Sequence, residues 1–306
     1  MRAAVRYNPA AVRALANRAG VLLLLSVCAS PPLVAQGDPG TLEAILRRAG
    51  DRVELFFARA QSLVCQEVVR LQPLAFGLSA DGVGRTIESE LRVSWDPGTG
   101  DGGAVEARTI RAVVKVNGRD PRKNDHNNCT TPEQQDTETQ PLSMLLASQR
   151  GDYTWKLVSP GDVDGRPAIR IDYRMKSKTE VEVHEVEGKP DCISFDIQGG
   201  MHGRVWLDAE TYDVLRLDQS LDGPTEIPMP KSVARRSRGV DRWTADRMDT
   251  TIRFKRVSFE DPSETLVLPV SSSSLQIIYG AGMPRLRMHT TYERYKRFLT
   301  GGRIVP

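Results

Sequence analysis

Aromatic residues are scarce in this chain, at 6% of 306 residues, and histidine and cysteine occur four times each. The most apolar run, Val21-Leu22-Leu23-Leu24-Leu25-Ser26-Val27, is far short of the roughly 20 residues that a membrane-spanning helix requires. No two of His126, His184, His202 and His289 have the i, i+2 or i, i+4 spacing that brings two imidazoles to one metal. His126 and Cys129 are three apart, yet no further ligand pair lies near them, so they read as part of a solvated loop. The sequence lacks a G-x-S-x-G elbow, a G-x-G-x-x-G loop and a Walker loop. Ser271-Ser272-Ser273-Ser274 reads as a polar linker, and Asp162-Val163-Asp164-Gly165 as a turn without the oxygen set of a calcium loop. No carboxylate pair stands in surroundings that would split two pKa values for acid/base work. The expectation is a protein that is not an enzyme and has neither cofactor nor metal.

What is present begins with a leader. Residues 1–20 hold Arg2, Arg6, Arg13 and Arg18 and no acid, the apolar run follows, and Pro31-Pro32-Leu33-Val34-Ala35 supplies a small-residue exit. This is the layout of a secretory signal peptide over residues 1–35, with cleavage expected after Ala35. Cys28 would be the acylated residue of a lipoprotein, but Val27 stands where a small residue is favoured. Export implies a periplasmic or extracellular place, and no later stretch offers a transmembrane segment. Of the 42 basic residues, four belong to the leader, which leaves 38 against 39 acids. That balance gives no electrostatic case for nucleic acid.

The remaining residues, 36–306, read as a single domain. A 3.6-residue period runs through Leu42, Ile45, Leu46, Ala49, Val53, Phe56, Phe57 and Ala60, with Thr41 placed as N-cap. Gly50 weakens this helix of residues 42–60 without ending it. The period then changes to two. Ile87, Leu91, Val93 and Trp95 alternate with polar residues, as do Ile110 to Val116 and Ile169, Ile171 and Tyr173. Such alternation means strands with one dry face and one wet face. In 252–259 the apolar positions move from even to odd numbers, which predicts a β-bulge. Turn signals such as Asn117-Gly118, Asp164-Gly165 and Gly199-Gly200 punctuate the strands, and no segment is long enough for a βαβ crossover.

Residues 117–140 read as a long polar loop ending in a short helix over 142–149, with Pro141 at its first turn. Asp222 to Arg242 reads as irregular and basic, a stretch able to touch lipid head groups or a partner's acids. Three cysteines follow the leader. Cys65 lies in an apolar run and is expected to stay a buried thiol, and Cys129 is expected to pair with Cys192.

Three stretches together resemble a known family. Gly203-Arg204-Val205-Trp206-Leu207-Asp208-Ala209-Glu210-Thr211 with Asp213-Val214-Leu215-Arg216-Leu217 is similar to paired strands of the LolA/LolB-like periplasmic lipoprotein-carrier superfamily. Thr251 to Phe259, closing in Leu266-Val267-Leu268-Pro269, resembles its later strands, and the order of helix then meander matches. The resemblance implies an α+β fold that is mostly antiparallel β, a curved and unclosed β-barrel-like sheet with helices over its concave side. It also implies an apolar ligand, a lipid or lipidated protein, held in that half-barrel. Candidate lining residues are Ile87, Leu91, Val93, Trp95, Ile169, Ile171 and Tyr173. The alternative is a structural or regulatory module that binds another envelope protein along an open sheet edge.

Overall fold

The computed structural model describes residues 40–60, 62–96, 106–122, 125, 140–185, 193–231, 234, 241–260, 263–280 and 285–297. The leader, Cys28, His126, Cys129 and Cys192 lie outside them, as do the side chains of Trp95 and His184.

Helix α1, Leu42–Arg59, starts where its sequence says it should, with the Thr41 hydroxyl accepting the Ala44 N–H at 3.3 Å. Its stripe of Ile45, Leu46, Ala49, Val53, Phe56 and Phe57 is buried. Gly50 has a use beyond tolerance. A Cβ there would stand 2.6 Å from the Arg150 guanidinium and 2.7 Å from the Leu145 carbonyl, so glycine lets the 140–150 segment press against the helix. That segment is a correction. It is a 3-10 helix over Gln140–Leu145 followed by turns, not a helix over 142–149. It still buries Leu142, Met144, Leu145 and Leu146 against α1 and the sheet.

Fourteen strands follow: β1 Ser62–Pro73, β2 Arg85–Asp96, β3 Glu106–Val116, β4 Tyr153–Leu157, β5 Gly161–Val163, β6 Arg166–Met175, β7 Glu180–Glu185, β8 Ile193–Gln198, β9 Met201–Asp208, β10 Val214–Leu221, β11 Thr225–Pro228, β12 Arg242–Phe259, β13 Glu264–Tyr279 and β14 Arg285–Arg297. The main sheet runs β3-β2-β1-β14-β13-β12-β10-β9-β6-β4, with β11 beside β12 and β5 beside β6. All of its ladders are antiparallel, and its two ends, β3 and β4, do not meet. This is the open, curved, antiparallel architecture that the alternation and the resemblance implied.

Register shows why one face is dry. Val116, Ile87, Val69, Thr290, Ser272, Ile252, Leu217, Val205 and Ile171 are successive cross-strand partners from β3 to β6. Every one of them is 2% exposed or less. The opposite face carries a matching polar row, Arg70, His289, Ser273, Thr251, Asp218, Arg204 and Asp172. Because side chains alternate, one register fixes both faces at once.

The Ser271–Ser274 run is not a linker but the middle of β13, with Ser272 and Ser274 on the buried face. The expected bulge is present in the ladder, but on the facing strand and not within 252–259. Arg253 pairs with Ser271 and Phe254 with Pro269, so the extra residue is Val270 on the facing strand, beside a proline that a regular ladder position would not take. The 222–242 stretch is not wholly irregular, because β11 lies within it. Gly199-Gly200 does not join a hairpin of the main sheet. It leads from β8, which pairs with β7 in a separate two-stranded sheet, into β9.

Candidate functional site

The candidate site is the buried, concave face of the main sheet. Over β6, β9, β10, β12 and β13 it is covered by α1 and the 3-10 segment, in one cluster with Ile171, Tyr173, Val205, Leu207, Leu217 and Ile252. Farther along, the β7–β8 hairpin lays Phe195, with Val181 and Val183 packed beside it, against Ile227, Ala245 and Ile278. The alternation Glu180-Val181-Glu182-Val183 is the local sequence signal of this third cover.

Helix α1 is tied to the sheet by few polar contacts. Arg48 Nη1 donates to the Tyr212 hydroxyl at 2.7 Å, and its guanidinium lies 5.0 Å from that ring. Arg52 Nε donates to Asp213 Oδ1 at 2.6 Å. Arg297 reaches the carbonyl of Arg59 at the helix end. Asp213 is 5% exposed, and Thr211 and Arg256 share its second oxygen. The β9–β10 turn that presents these groups is held by Asp208, whose carboxylate accepts the N–H groups of Glu210 and Thr211 at 3.0 and 2.9 Å and pairs with Arg166. In Trp206-Leu207-Asp208, from the stretch that carries the resemblance, the aspartate therefore builds the turn. Trp206 packs on the other face with Val163, Ala168 and Leu215, between the guanidiniums of Arg216 at 4.5 Å and Arg204 at 5.6 Å.

The expected lining residues fall into three groups. Ile171 and Tyr173 sit in the cluster under α1, with Ile169 packed against it. The Tyr173 hydroxyl donates to the Asp218 carbonyl at 3.0 Å, over Gly203, where a Cβ would meet that hydroxyl at 2.8 Å. Burial pushes the Tyr173 phenol well above its ordinary pKa. Ile87 packs with Val69 and Leu71, and Leu91 with Cys65 and Tyr292. Val93 touches both the Leu91 group and the α1 cluster. All seven positions except Trp95, whose side chain is not described, therefore lie on closely packed parts of the same face. Two surface pockets, of 430 and 260 Å³, include none of the seven, though the smaller is lined in part by Cys65 and Ser89.

Sequence reasoning missed a polar island on this face. Arg111 Nε of β3 donates to Glu67 Oε2 of β1 at 2.8 Å, across β2, with side-chain exposures of 2% and 1%. Ser89, opposite Glu67, is equally buried, and its hydroxyl has no hydrogen-bond partner among the described residues. The neighbouring Cys65 thiol is pushed up to about 12, first by burial and then by the charge of Glu67. Alternation in 110–116 puts Arg111 on the wet face and Ile110 and Val114 on the dry one; beyond the register shift at Glu88–Ser89 the structure reverses this, burying Arg111 and leaving Ile110 and Val114 exposed.

For catalysis the described residues offer one contact of interest, Ser273 Oγ against His289 Nδ1 at 2.8 Å. It lies on the exposed face, between Thr251 and Arg70 in register, without a carboxylate on the second ring nitrogen among the described residues. The described residues hold no group of three or more metal-ligating side chains, and none of their helices is long and apolar enough to cross a membrane.

No protein-family model and no curated protein matches the sequence. Among solved structures the chain is similar to a LolA superfamily protein from Nitrosomonas europaea, at 10% identity over 85% of this chain and 94% of that one, with a TM-score of 0.33. It is also similar to a DUF1329 family protein from Desulfovibrio piger, at 10% identity over 84% and 93%, with a TM-score of 0.39. An outer membrane lipoprotein-sorting protein domain from Vibrio parahaemolyticus is 11% identical over 83% and 94%, with a TM-score of 0.32.

Proposed function

We propose that this is an exported, non-catalytic envelope protein that binds an apolar ligand, a lipid or the acyl chains of a lipidated protein, against its concave face in place of α1. The observation that carries the reading is that the dry face is filled by one amphipathic helix and a short 3-10 segment, with few polar ties between helix and sheet. Ile45, Leu46, Val53, Phe56 and Phe57 of α1 are buried there, contributing roughly 2 kcal/mol each, or about 10 in all. An acyl chain of about 14 methylenes at about 0.8 kcal/mol each offers a similar sum. The polar ties at Tyr212 and Asp213 add about 1 kcal/mol apiece. Helix and acyl chain are therefore close competitors for one surface, which a carrier that must also release its cargo needs.

A second reading has its own observation. β3 is an edge strand of 11 residues whose Ile110 and Val114 are 59% and 51% exposed. An apolar edge of that length suits an added strand from an envelope partner.

Lipid extraction and native mass spectrometry of protein purified from its own envelope separate the two. A carrier retains acyl ligands, and Asp213→Asn, which loosens α1, raises uptake of a fluorescent fatty acid severalfold. Protein free of lipid, with no uptake by wild type or by Asp213→Asn, refutes the carrier reading and leaves the edge.

A further inference from the structure

Six large apolar side chains stand exposed among the described residues, and three of them, Phe76, Val83 and Tyr279, gather at one end of the sheet. There β1 gives way to β2, and β13 to β14. Single exposed apolar residues are ordinary on any surface. These differ in being held out by a built loop. Residues 74–84 form a small closed turn in which Leu74 bridges Ala80, Ala75 N–H donates to Ser79, Leu78 N–H to Ala75, and Asp81 N–H to Pro73, each bond at 2.9 Å. Leu78 takes a φ of +62°, a left-handed conformation that branched side chains avoid. Open space surrounds Gly77 and Gly82, where a Cβ would meet nothing within 4 Å, so the turn projects from the body. Phe76 at its tip is 84% exposed and Val83 on its return is 93% exposed.

Behind the apolar tip stand cations. The Arg285 guanidinium lies 4.8 Å from the Phe76 ring and 6.0 Å from the Tyr279 ring. Arg287 reaches the Leu78 carbonyl at 3.5 Å. Within residues 74–84 the one charged residue is Asp81. Trp243 is adjacent, since a Cβ on Gly280 would stand 2.6 Å from its ring. Apolar residues outermost, tyrosine and tryptophan at the next level and arginines beside them is the order of chemistry met on entering a membrane interface from water.

We propose that this end of the sheet, with Phe76, Val83 and Tyr279 backed by Arg285 and Arg287, docks the protein on an anionic lipid surface without crossing it. The two arginines complement phosphate head groups, and the loop inserts its tip among the upper acyl carbons. The site is separate from the concave face and does not depend on what that face binds.

The test is flotation of protein recovered from the exporting cell with vesicles of phosphatidylethanolamine and phosphatidylglycerol, and with vesicles of phosphatidylcholine alone. Wild type floats with the anionic vesicles. Phe76→Ser and Val83→Ser each lower partition about tenfold, from the apolar area they cease to bury. The pair Arg285→Gln and Arg287→Gln weakens binding to anionic vesicles and leaves phosphatidylcholine unaffected. Melting stays unchanged throughout, because the replaced side chains of Phe76 and Val83 are exposed. Ile110→Ser, which alters an exposed apolar residue away from the loop, floats as wild type does. Wild type that fails to float overturns the proposal and assigns the patch to a protein partner. Equal flotation of wild type and Phe76→Ser overturns it as well, as does an equal loss in Ile110→Ser.

Discussion

Arg111→Met tests the polar island directly. The substitution keeps a long apolar stem but leaves Glu67 charged on a dry face, opposite Ser89 and near Leu91 and Tyr292. With side-chain exposures of 2% and 1% and a 2.8 Å contact, water can compensate neither partner. Removing one member of such a pair costs about 3–5 kcal/mol, most of it the uncompensated charge that remains. Glu67→Met should cost a similar amount by stranding the guanidinium. The double variant should recover most of the loss, because two apolar side chains of similar volume suit the rest of the face. Urea unfolding followed by circular dichroism reads this out. With a slope of about 3 kcal/mol/M, each single variant moves the midpoint down by about 1–2 M, and the double variant lies close to wild type. Additive losses in the double variant would refute the argument, as would a loss below about 1 kcal/mol for Arg111→Met. An inward charge on an edge strand also guards its register, since a slip of one residue would carry Arg111 to the outer face.

Cys65 should resist iodoacetamide in the folded protein at pH 8 or so and react fully in denaturant, because burial holds its thiol at about 12 and leaves little thiolate; rapid native labelling would show that β1 opens readily. Asp172, whose carboxyl is held below the ordinary range by the hydrogen bond from Arg204, contributes stability above about pH 4 that is lost as pH falls through its lowered folded value. Since both side chains are about a third exposed, the gain is about 1 kcal/mol at most. Melting of Asp172→Asn should thus lie a few degrees below wild type at pH 7, with the gap narrowing as pH falls through and below the ordinary carboxylate range; a gap that does not narrow in acid would contradict the assignment.

Much of the architecture could be read in the chain because its cause is local. Thr41 caps α1, the Leu42–Phe57 stripe is buried, and the shift of parity in 252–259 marks a true irregularity of the β12–β13 ladder. What escaped reading has non-local causes. The four serines 271–274 look like a linker because every one is polar, and only the register with Ile252 and Thr290 shows that Ser272 lies on the dry face. Gly50 reads as a weak point until Arg150 and Leu145 are set against it. The Glu67–Arg111 pair joins residues two strands apart in the sheet, and the Arg52–Asp213 tie joins a helix to a distant turn. The candidate lining residues share one buried face, as their alternation implies, but alternation does not show how tightly that face is packed.

The place of β1 has a consequence for the order of events in the life of the chain. Its neighbours are β2 and β14, so the first strand completes its pairing only with the last, Val69 opposite Thr290. A growing chain lacks that partner until synthesis is nearly over, and the middle of the sheet cannot close before then. Contacts so distant in sequence also form slowly. A protein threaded outward through a membrane must remain unfolded until it has crossed, and for the export proposed above the strand order itself would supply the delay.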